Sequence, residues 1–313
     1  MWHAAGMPVD ALPVAEHDGA EEFEEHRGRL FSVCYRMLGS AAEAEDVVQD
    51  TYLRWAAADR PGIVIPAAWL TKVAVNLSLN RLASARVQRE AYVGPWLPEP
   101  VATGGPAGAP LGPLERAEQR ESVSVALLTL MERLTPAERA VFVLREAFGY
   151  GHGEVADVLD ISEAASRQAH RRARLRLAED RRRFEPSDRR WREVVDRFLD
   201  AAQGGDIDAL HAVLAEDVVT YSDGGGKVTA ARIPIAGRDR VGLFLGRLVG
   251  MVTREHVLAA VDVNGVPAIM VLLRGDIIAV FSPEVADGRI AAMRIVVNPD
   301  KLGYFARQMA ARG

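Results

Sequence analysis

Cysteine is almost missing from this chain of 313 residues: Cys34 stands alone. One thiol excludes an internal disulfide and a cysteine-rich zinc site, and its position in an apolar helical pattern marks it as a core residue. Long hydrophobic runs are missing too. Stretches such as Val266 to Leu273 fall far short of the roughly 20 apolar residues a membrane helix needs, and no basic segment followed by an apolar run opens the sequence. A cytoplasmic protein that stays out of membranes is expected. Net positive charge is also lacking. The formal charge of -5 argues weakly against nucleic-acid binding, but an average hides segregated charge, and here it is segregated.

What is present is ordinary globular composition, 49% hydrophobic and 26% charged, on a chain long enough for two or three domains. Residues 1–20 are expected to form a disordered tail. Periodicity then begins, with Phe23, Leu30, Cys34, Met37 and Leu38 at helical spacing. Ser40 with Glu43 reads as a capping box that starts a second helix through AEDVVQDTYLRW. Pro66, suited to a first helical turn because it lacks an N–H, opens a third helix carrying Lys72, Arg81, Arg86 and Arg89. Together these predict a helical domain over residues 21–92.

Residues 93–118 read as a linker, since six Pro and five Gly lie between Gly94 and Pro113. Inside it stands WLPEP, residues 96–100. A Trp in such a segment is exposed apolar surface unless it docks, and burying it gains on the order of 2–3 kcal/mol. Pro98 and Pro100 stiffen the chain and so reduce the entropy lost on docking. The segment reads as a tethered latch, with a chance Trp in a spacer as the competing reading.

Helices resume near Leu114, and a second helical domain is expected over residues 119–184. Thr135-Pro136-Ala137-Glu138 joins a capping box to Pro at the first helical position. GEVADVLD then turns through Ile161 into Ser162, which can cap a basic helix. Between Ser166 and Arg183, eight Arg stand against Glu179 and Asp180, a balance of +6. Two helices joined by a tight turn, the second basic, form a helix-turn-helix pattern that fits a phosphate-lined major groove. Over residues 187–313 the character changes. Helix signals at Trp191–Ala202 and Asp206–Leu214 precede the strand-like segments VVTYS, HVLAAVDV, PAIMVLL, DIIAVFS and RIAAMRIVV. Asn264-Gly265, Arg274-Gly275 and Asp287-Gly288 are hairpin chemistry, predicting an antiparallel sheet with helices on one face in an α+β domain.

AEDVVQDTYLRW with PAAWLTKVAVNLSLNRL resembles region 2 of the extracytoplasmic-function (ECF) RNA polymerase sigma factors, and LTPAERAVFVLREAFGYGHGEVADVLDISEAASRQAHRRARLRL resembles their region 4. The remainder is similar to SnoaL-like domains, a cone-shaped α+β fold of the nuclear-transport-factor type. One subgroup joins all three, with WLPEP, DGGGK at 223–227 and NPDKL at 298–302. The resemblance implies a multidomain fold of two all-α polymerase- and DNA-binding domains followed by an α+β cone. It implies a promoter-specificity subunit for core RNA polymerase, with no catalysis or cofactor. The attached domain would stand where other such factors use a separate anti-sigma protein.

Candidate residues follow. Asp46, Gln49 and Asp50 share a helix face opposite Val48, Tyr52 and Trp55, and the resemblance assigns that acidic strip to the clamp coiled coil of the largest polymerase subunit. It places Lys72, Asn76, Asn80 and Arg81 at the -10 element, with the loop Asp59–Ile65 as a base pocket; Asn can both donate to and accept from an exposed base edge. Arg167, Gln168, Arg171, Arg172 and Arg174 match positions facing the -35 element, where Arg reads guanine and Gln adenine, Arg172 and Arg174 being open to phosphate contact alone. Ser166 departs from the apolar residue of many relatives and puts tight packing there in doubt. Arg181–Arg183 read as a solvated basic tail.

The resemblance directs Trp96, Leu97, Pro98, Glu99 and Pro100 at the DGGGK loop. There Asp223, Gly224, Gly225 and Gly226 allow close approach of another chain, and Lys227 could pair with Glu99. A plain hairpin turn is the alternative for these glycines. Asn298, Pro299, Asp300, Lys301 and Leu302 complete the interdomain set. Two other functions compete. His211, His256, Asp223 and Asp262 could serve an enzyme in the cone domain, and a ligand-responsive repressor or activator would also carry a helix-turn-helix. A stand-alone repressor has no use for the pattern at 46–50 and 66–82. Whether the cone domain takes a small ligand is open.

Overall fold

A computed structural model of the chain describes residues 15–103, 123–181 and 188–312. The tail up to residue 14, the Gly/Pro stretch 104–122 with the helix restart near Leu114, and Arg182 and Arg183 lie outside the described residues. The first unit is α1 (Ala15–Leu38), α2 (Ala41–Ala56) and α3 (Pro66–Glu90). Helix α1 starts at Ala15, so the end of the expected tail is already helical. Its apolar repeat is buried as read, and burial pushes the Cys34 thiol up to about 12. Ser40 caps α2, its Oγ accepting the Glu43 N–H at 3.1 Å. Tyr52 does not join the inward row of α2. It lies at the exposed edge with its ring 5.0 Å from that of Phe23, while Val47 and Thr51 point inward beside Val48 and Trp55.

The second unit is α4 (Val125–Leu130), α5 (Pro136–Phe142), α6 (His152–Leu159) and α7 (Glu163–Arg181). Thr135 and Glu138 form the reciprocal capping box, and α5 runs into a wide π turn, Val143–Ala147. The tight turn between α6 and α7 passes through Asp160 in the left-handed region at φ 52°, and Ser162 Oγ accepts the Ala165 N–H. Ser166 is buried between these helices with its Oγ 2.9 Å from His152 Nδ1. A hydrogen bond thus replaces the apolar contact whose absence had put packing in doubt. The two helical units share one core: Phe31, Met37 and Val75 belong to the same continuous cluster as Leu128, Phe142 and Val155.

The third unit comprises α8 (Asp188–Gly204), α9 (Ile207–Ala212), β1 (Leu214–Asp223), β2 (Ile235–Ala236), α10 (Arg238–Val249), β3 (His256–Val263), β4 (Val266–Leu273), β5 (Asp276–Ala286), β6 (Arg289–Val296) and α11 (Pro299–Ala310). The sheet order is β2-β1-β6-β5-β4-β3. All three hairpins form at the dipeptides read from sequence, with both residues of each at positive φ. Two expectations need correction. The sheet is mixed, because β1 runs parallel to β6. Nor are helices confined to one face: α8, α9 and α10 cover one side, whereas α11 and Leu97 cover the other. Strands β4 and β6 are buried on both faces, which is why their sequences are near-continuous apolar runs rather than alternations. Helix α10 is absent from the sequence reading, although Val241, Phe244, Leu245 and Leu248 stand at helical spacing and form its inward face. It opens after Gly237 at φ 91° with no side-chain cap.

The Ser166 contact generates a test. Ser166→Ala leaves His152 Nδ1 without its buried partner and should cost about 1 kcal/mol, and Ser166→Leu should cost about 1–3 kcal/mol through overpacking. Hydrogen exchange of the α6 and α7 amides reads both; a Leu variant more protected than the parent would show that the hydroxyl has no packing role.

Candidate polymerase, promoter and interdomain surfaces

The three short motifs converge on one buried ion pair. Lys301 Nζ lies 2.7 Å from Asp223 Oδ2, and both side chains are buried. The same ammonium donates to the Leu97 carbonyl at 2.6 Å and sits over the rings of Trp96, at 4.2 Å, and Tyr92, at 4.8 Å. Asp223 also accepts the Leu97 N–H at 2.8 Å and the Tyr92 hydroxyl. Burial, followed by the neighbouring Asp223 carboxylate, holds that phenol above the usual tyrosine range. Asn298 caps α11 and donates to Tyr92 Oη at 2.9 Å. The glycines do allow close approach: a Cβ on Gly225 would lie 2.2 Å from Asn298 Nδ2, and one on Gly226 would lie 3.3 Å from Val93. Both have positive φ, so other residues would also be strained there.

The expected Lys227–Glu99 pair does not form. Lys227 pairs with Asp300, and Glu99 faces the opposite way, into the first domain. Its carboxylate accepts the Ser40 hydroxyl at 2.7 Å and the N–H groups of Ala41 and Ala42 at 2.9 and 3.0 Å. It therefore satisfies donors left over at the start of α2 and meets the positive end of that helix. Burial still raises the Glu99 carboxyl above the ordinary range, against these donors. Trp96 reaches the same place, since a Cβ on Gly39 would lie 2.8 Å from its ring.

Beyond WLPEP, Ala102 bridges antiparallel to Val263, and Arg312 donates to the carbonyls of Ala102 and Thr103. Asn264 is fully buried here; it exchanges hydrogen bonds with the Val101 backbone and donates to Tyr35 Oη and the Val123 carbonyl. Tyr35 in turn donates to the Glu99 carbonyl. Sequence reasoning missed Tyr35, Tyr92 and this use of Asn264. Asn-Gly announces a hairpin, and nothing in it announces that the turn is buried.

On α2, Asp46 and Gln49 are exposed and Asp50 is half-buried. Arg81, also expected at DNA, turns toward this strip and bridges Asp46 and Asp50 at 3.2 and 3.0 Å. Lys72 is also engaged, donating to the Asp157 carbonyl at 2.9 Å and pairing with Asp160 at 2.5 Å, both in the helix-turn-helix. Asn76 is half-buried and Asn80 exposed, and Val64 and Ile65 in the preceding loop are exposed. On α7, Arg167, Gln168, Arg171 and Arg174 face solvent, with Arg167 paired to Glu163. Arg172 differs: its Nε bonds the buried Glu138 carboxylate at 2.9 Å, and Arg176 takes the other oxygen.

The candidate acid/base residues of the cone domain are dispersed. Asp223 is in the ion pair, Asp262 pairs with Arg192, and His211 packs beside Gly242 on α10. Only His256, of these four, lines the cavity of about 640 Å³ between the sheet and α8 and α10. Among the described residues no helix is long and apolar enough to cross a membrane.

Comparison with known proteins agrees with this layout. Residues 23–87 match sigma-70 region 2 and residues 124–177 match sigma-70 region 4. The ECF RNA polymerase sigma factor SigJ of Mycobacterium tuberculosis is 37% identical over 90% of this chain and 92% of its own length. The probable ECF sigma factor SigI of the same species is 30% identical over 92% of this chain and 97% of its own. The crystal structure of SigJ superposes with a TM-score of 0.70, at 35% identity, over 90% of this chain and 98% of that one. With two helical sigma regions and an α+β domain clasping their linker, the chain belongs to the ECF RNA polymerase sigma factors.

Proposed function

We propose that the cone domain and the WLPEP segment hold regions 2 and 4 closed on each other and so restrain promoter reading by this sigma factor. The observation that carries the reading is Lys72: on the helix expected at the -10 element, it is tied to Asp157 and Asp160 of the region expected at the -35 element. While it is so tied it is withheld from phosphate. The clasp at Asp223 and Lys301 holds the connecting segment in place, and Tyr304 of α11 stacks on Phe31 at 5.6 Å within the core shared by both regions. On this reading a separate anti-sigma protein is not required, the cone domain has no catalytic role, and the protein works in the cytoplasm with core polymerase and promoter DNA.

The acidic strip Asp46, Gln49 and Asp50, held in shape by Arg81, is the proposed polymerase contact. Replacing Asp46 and Asp50 together with Ala should weaken binding to core polymerase without unfolding the chain. A titration showing unchanged affinity rejects the face. Lys72, Asn76 and Asn80 are the proposed -10 contacts, and Arg167, Gln168, Arg171 and Arg174 the proposed -35 contacts. Arg171→Ala should reduce discrimination between matched and mismatched -35 elements by about 1–3 kcal/mol, whereas a phosphate contact would weaken all sequences alike and flatten the salt dependence. Arg172→Ala should instead destabilise the helix-turn-helix, because it strips a partner from buried Glu138.

Trp96→Ala should raise promoter-directed transcription by freeing regions 2 and 4, and Lys301→Met should do the same without adding to it in the double variant, since both act on one clasp. A fall in transcription by well-folded Trp96→Ala would overturn restraint as the role. The Glu99 contribution carries a pH signature. Its folded pKa is raised, so the stability it supplies is fully present below the unfolded value of about 4.3 and is lost as pH rises through the folded value. Protease sensitivity of the linker should therefore increase as pH rises above that unfolded value, and Glu99→Gln should flatten the change.

A further inference from the structure

We infer that the cone cavity binds a small, mainly apolar molecule bearing one hydrogen-bonding group, and that its occupancy is transmitted to the interdomain clasp through the end of β1. The cavity, about 640 Å³, falls in the range of about 300–1,000 Å³ that encloses drug-sized ligands. Phe198, Phe244, Leu258, Ile269, Phe281 and Ile295 supply an apolar wall. Of the polar side chains that line it, Ser222 alone is buried. Ser222 lines the cavity, is 3% exposed, and its Oγ has no hydrogen-bond partner among the described residues. A buried hydroxyl left unmade costs free energy that a ligand carbonyl or hydroxyl would recover. Arg247 and His256 also line the cavity; Arg247 is exposed and His256 half-buried. His256 Nδ1 is occupied by the Thr253 N–H at 3.1 Å.

Two routes connect this cavity to the linker. Ser222 and Asp223 are consecutive on β1, so their side chains point to opposite faces of the sheet: one into the cavity, the other to Leu97 and Lys301. A shift of β1 that improves the Ser222 contact must move the Asp223 carboxylate. Thr229, Ala230 and Ala231 line the cavity, and the same segment abuts the linker, where a Cβ on Gly94 would lie 3.5 Å from Arg232 Cα and 3.9 Å from the Ala231 carbonyl oxygen. The second half of the inference rests on the clasp described above; the first half does not.

The test uses the full chain and anilinonaphthalene sulfonate, an apolar aromatic probe whose fluorescence rises on transfer from water. Saturable binding of one probe per chain is expected. Filling the cavity with Ala202→Trp should weaken it at least tenfold, and Ser222→Ala should weaken it several-fold. Ala279→Leu is the second filling variant should Ala202→Trp lose its circular dichroism. Hydrogen exchange of the peptide holding the Leu97 amide, compared with and without saturating probe, reads the coupling and should change several-fold. Absent binding, or binding unchanged in folded filled variants, overturns the site. Binding that is lost on filling but leaves Leu97 exchange unaltered overturns the coupling. Because neither readout involves polymerase, a clasp that proves irrelevant to transcription would leave the binding result standing.

Discussion

The Lys301 ammonium is the point on which the interdomain structure depends. A buried cation is costly unless its charge and all its donors are matched. Here one carboxylate, one backbone carbonyl and two aromatic faces surround it, drawn from the DGGGK motif, from Leu97, and from Trp96 and Tyr92. The segment that follows α3 supplies three of those four partners, Tyr92, Trp96 and Leu97. It therefore cannot slide by one residue without leaving a buried charge partly unmatched, a cost on the scale of breaking a buried ion pair, about 3–5 kcal/mol. The Gly/Pro composition would otherwise leave its position undetermined.

Position at one residue fixes direction at the next. Pro98 and Pro100 hold φ near its ring-imposed value on either side of Glu99, so a segment pinned at Leu97 presents the Glu99 carboxylate on a stiff backbone. That carboxylate meets Ser40, Ala41 and Ala42 at the start of α2. Neighbouring residues of one peptide thus address two domains. The segment behaves as a shared structural element, and Asn264, bonded to Val101, Tyr35 and Val123, extends the sharing to a third point.

Much of this was legible in the sequence, and the failures have physical causes. Helix starts at Ser40, Pro66 and Thr135 were readable because first-turn chemistry is local, and the three hairpins because each has Gly at a positive-φ turn position, preceded by Asn or Asp in two of them. The parallel pairing of β1 with β6 was not, since no turn connects them and only tertiary packing sets it. The convergence of the motifs was legible, but the partners within it were not. Glu99 and Lys227 have opposite charges, yet Asp300 lies within reach of Lys227, and a helix start offers Glu99 several donors at once. The resemblance places Arg81 at the -10 element; its pairing with Asp46 and Asp50 on the facing helix is a tertiary contact that spacing along one chain cannot reveal.

Charge is used in two energetic classes. Lys72 with Asp160, Arg81 with Asp46 and Asp50, and Arg167 with Glu163 are partly exposed pairs, each worth about 0–1 kcal/mol in water. Such pairs exchange readily for phosphate or for a protein partner, because the incoming group offers as much as the departing one. The Asp223–Lys301 pair has no such substitute within its enclosure. A closed arrangement held only by the first class would open whenever DNA was present. One held by the second opens when something alters the clasp itself, and β1 passes from that clasp directly to the wall of the cone cavity.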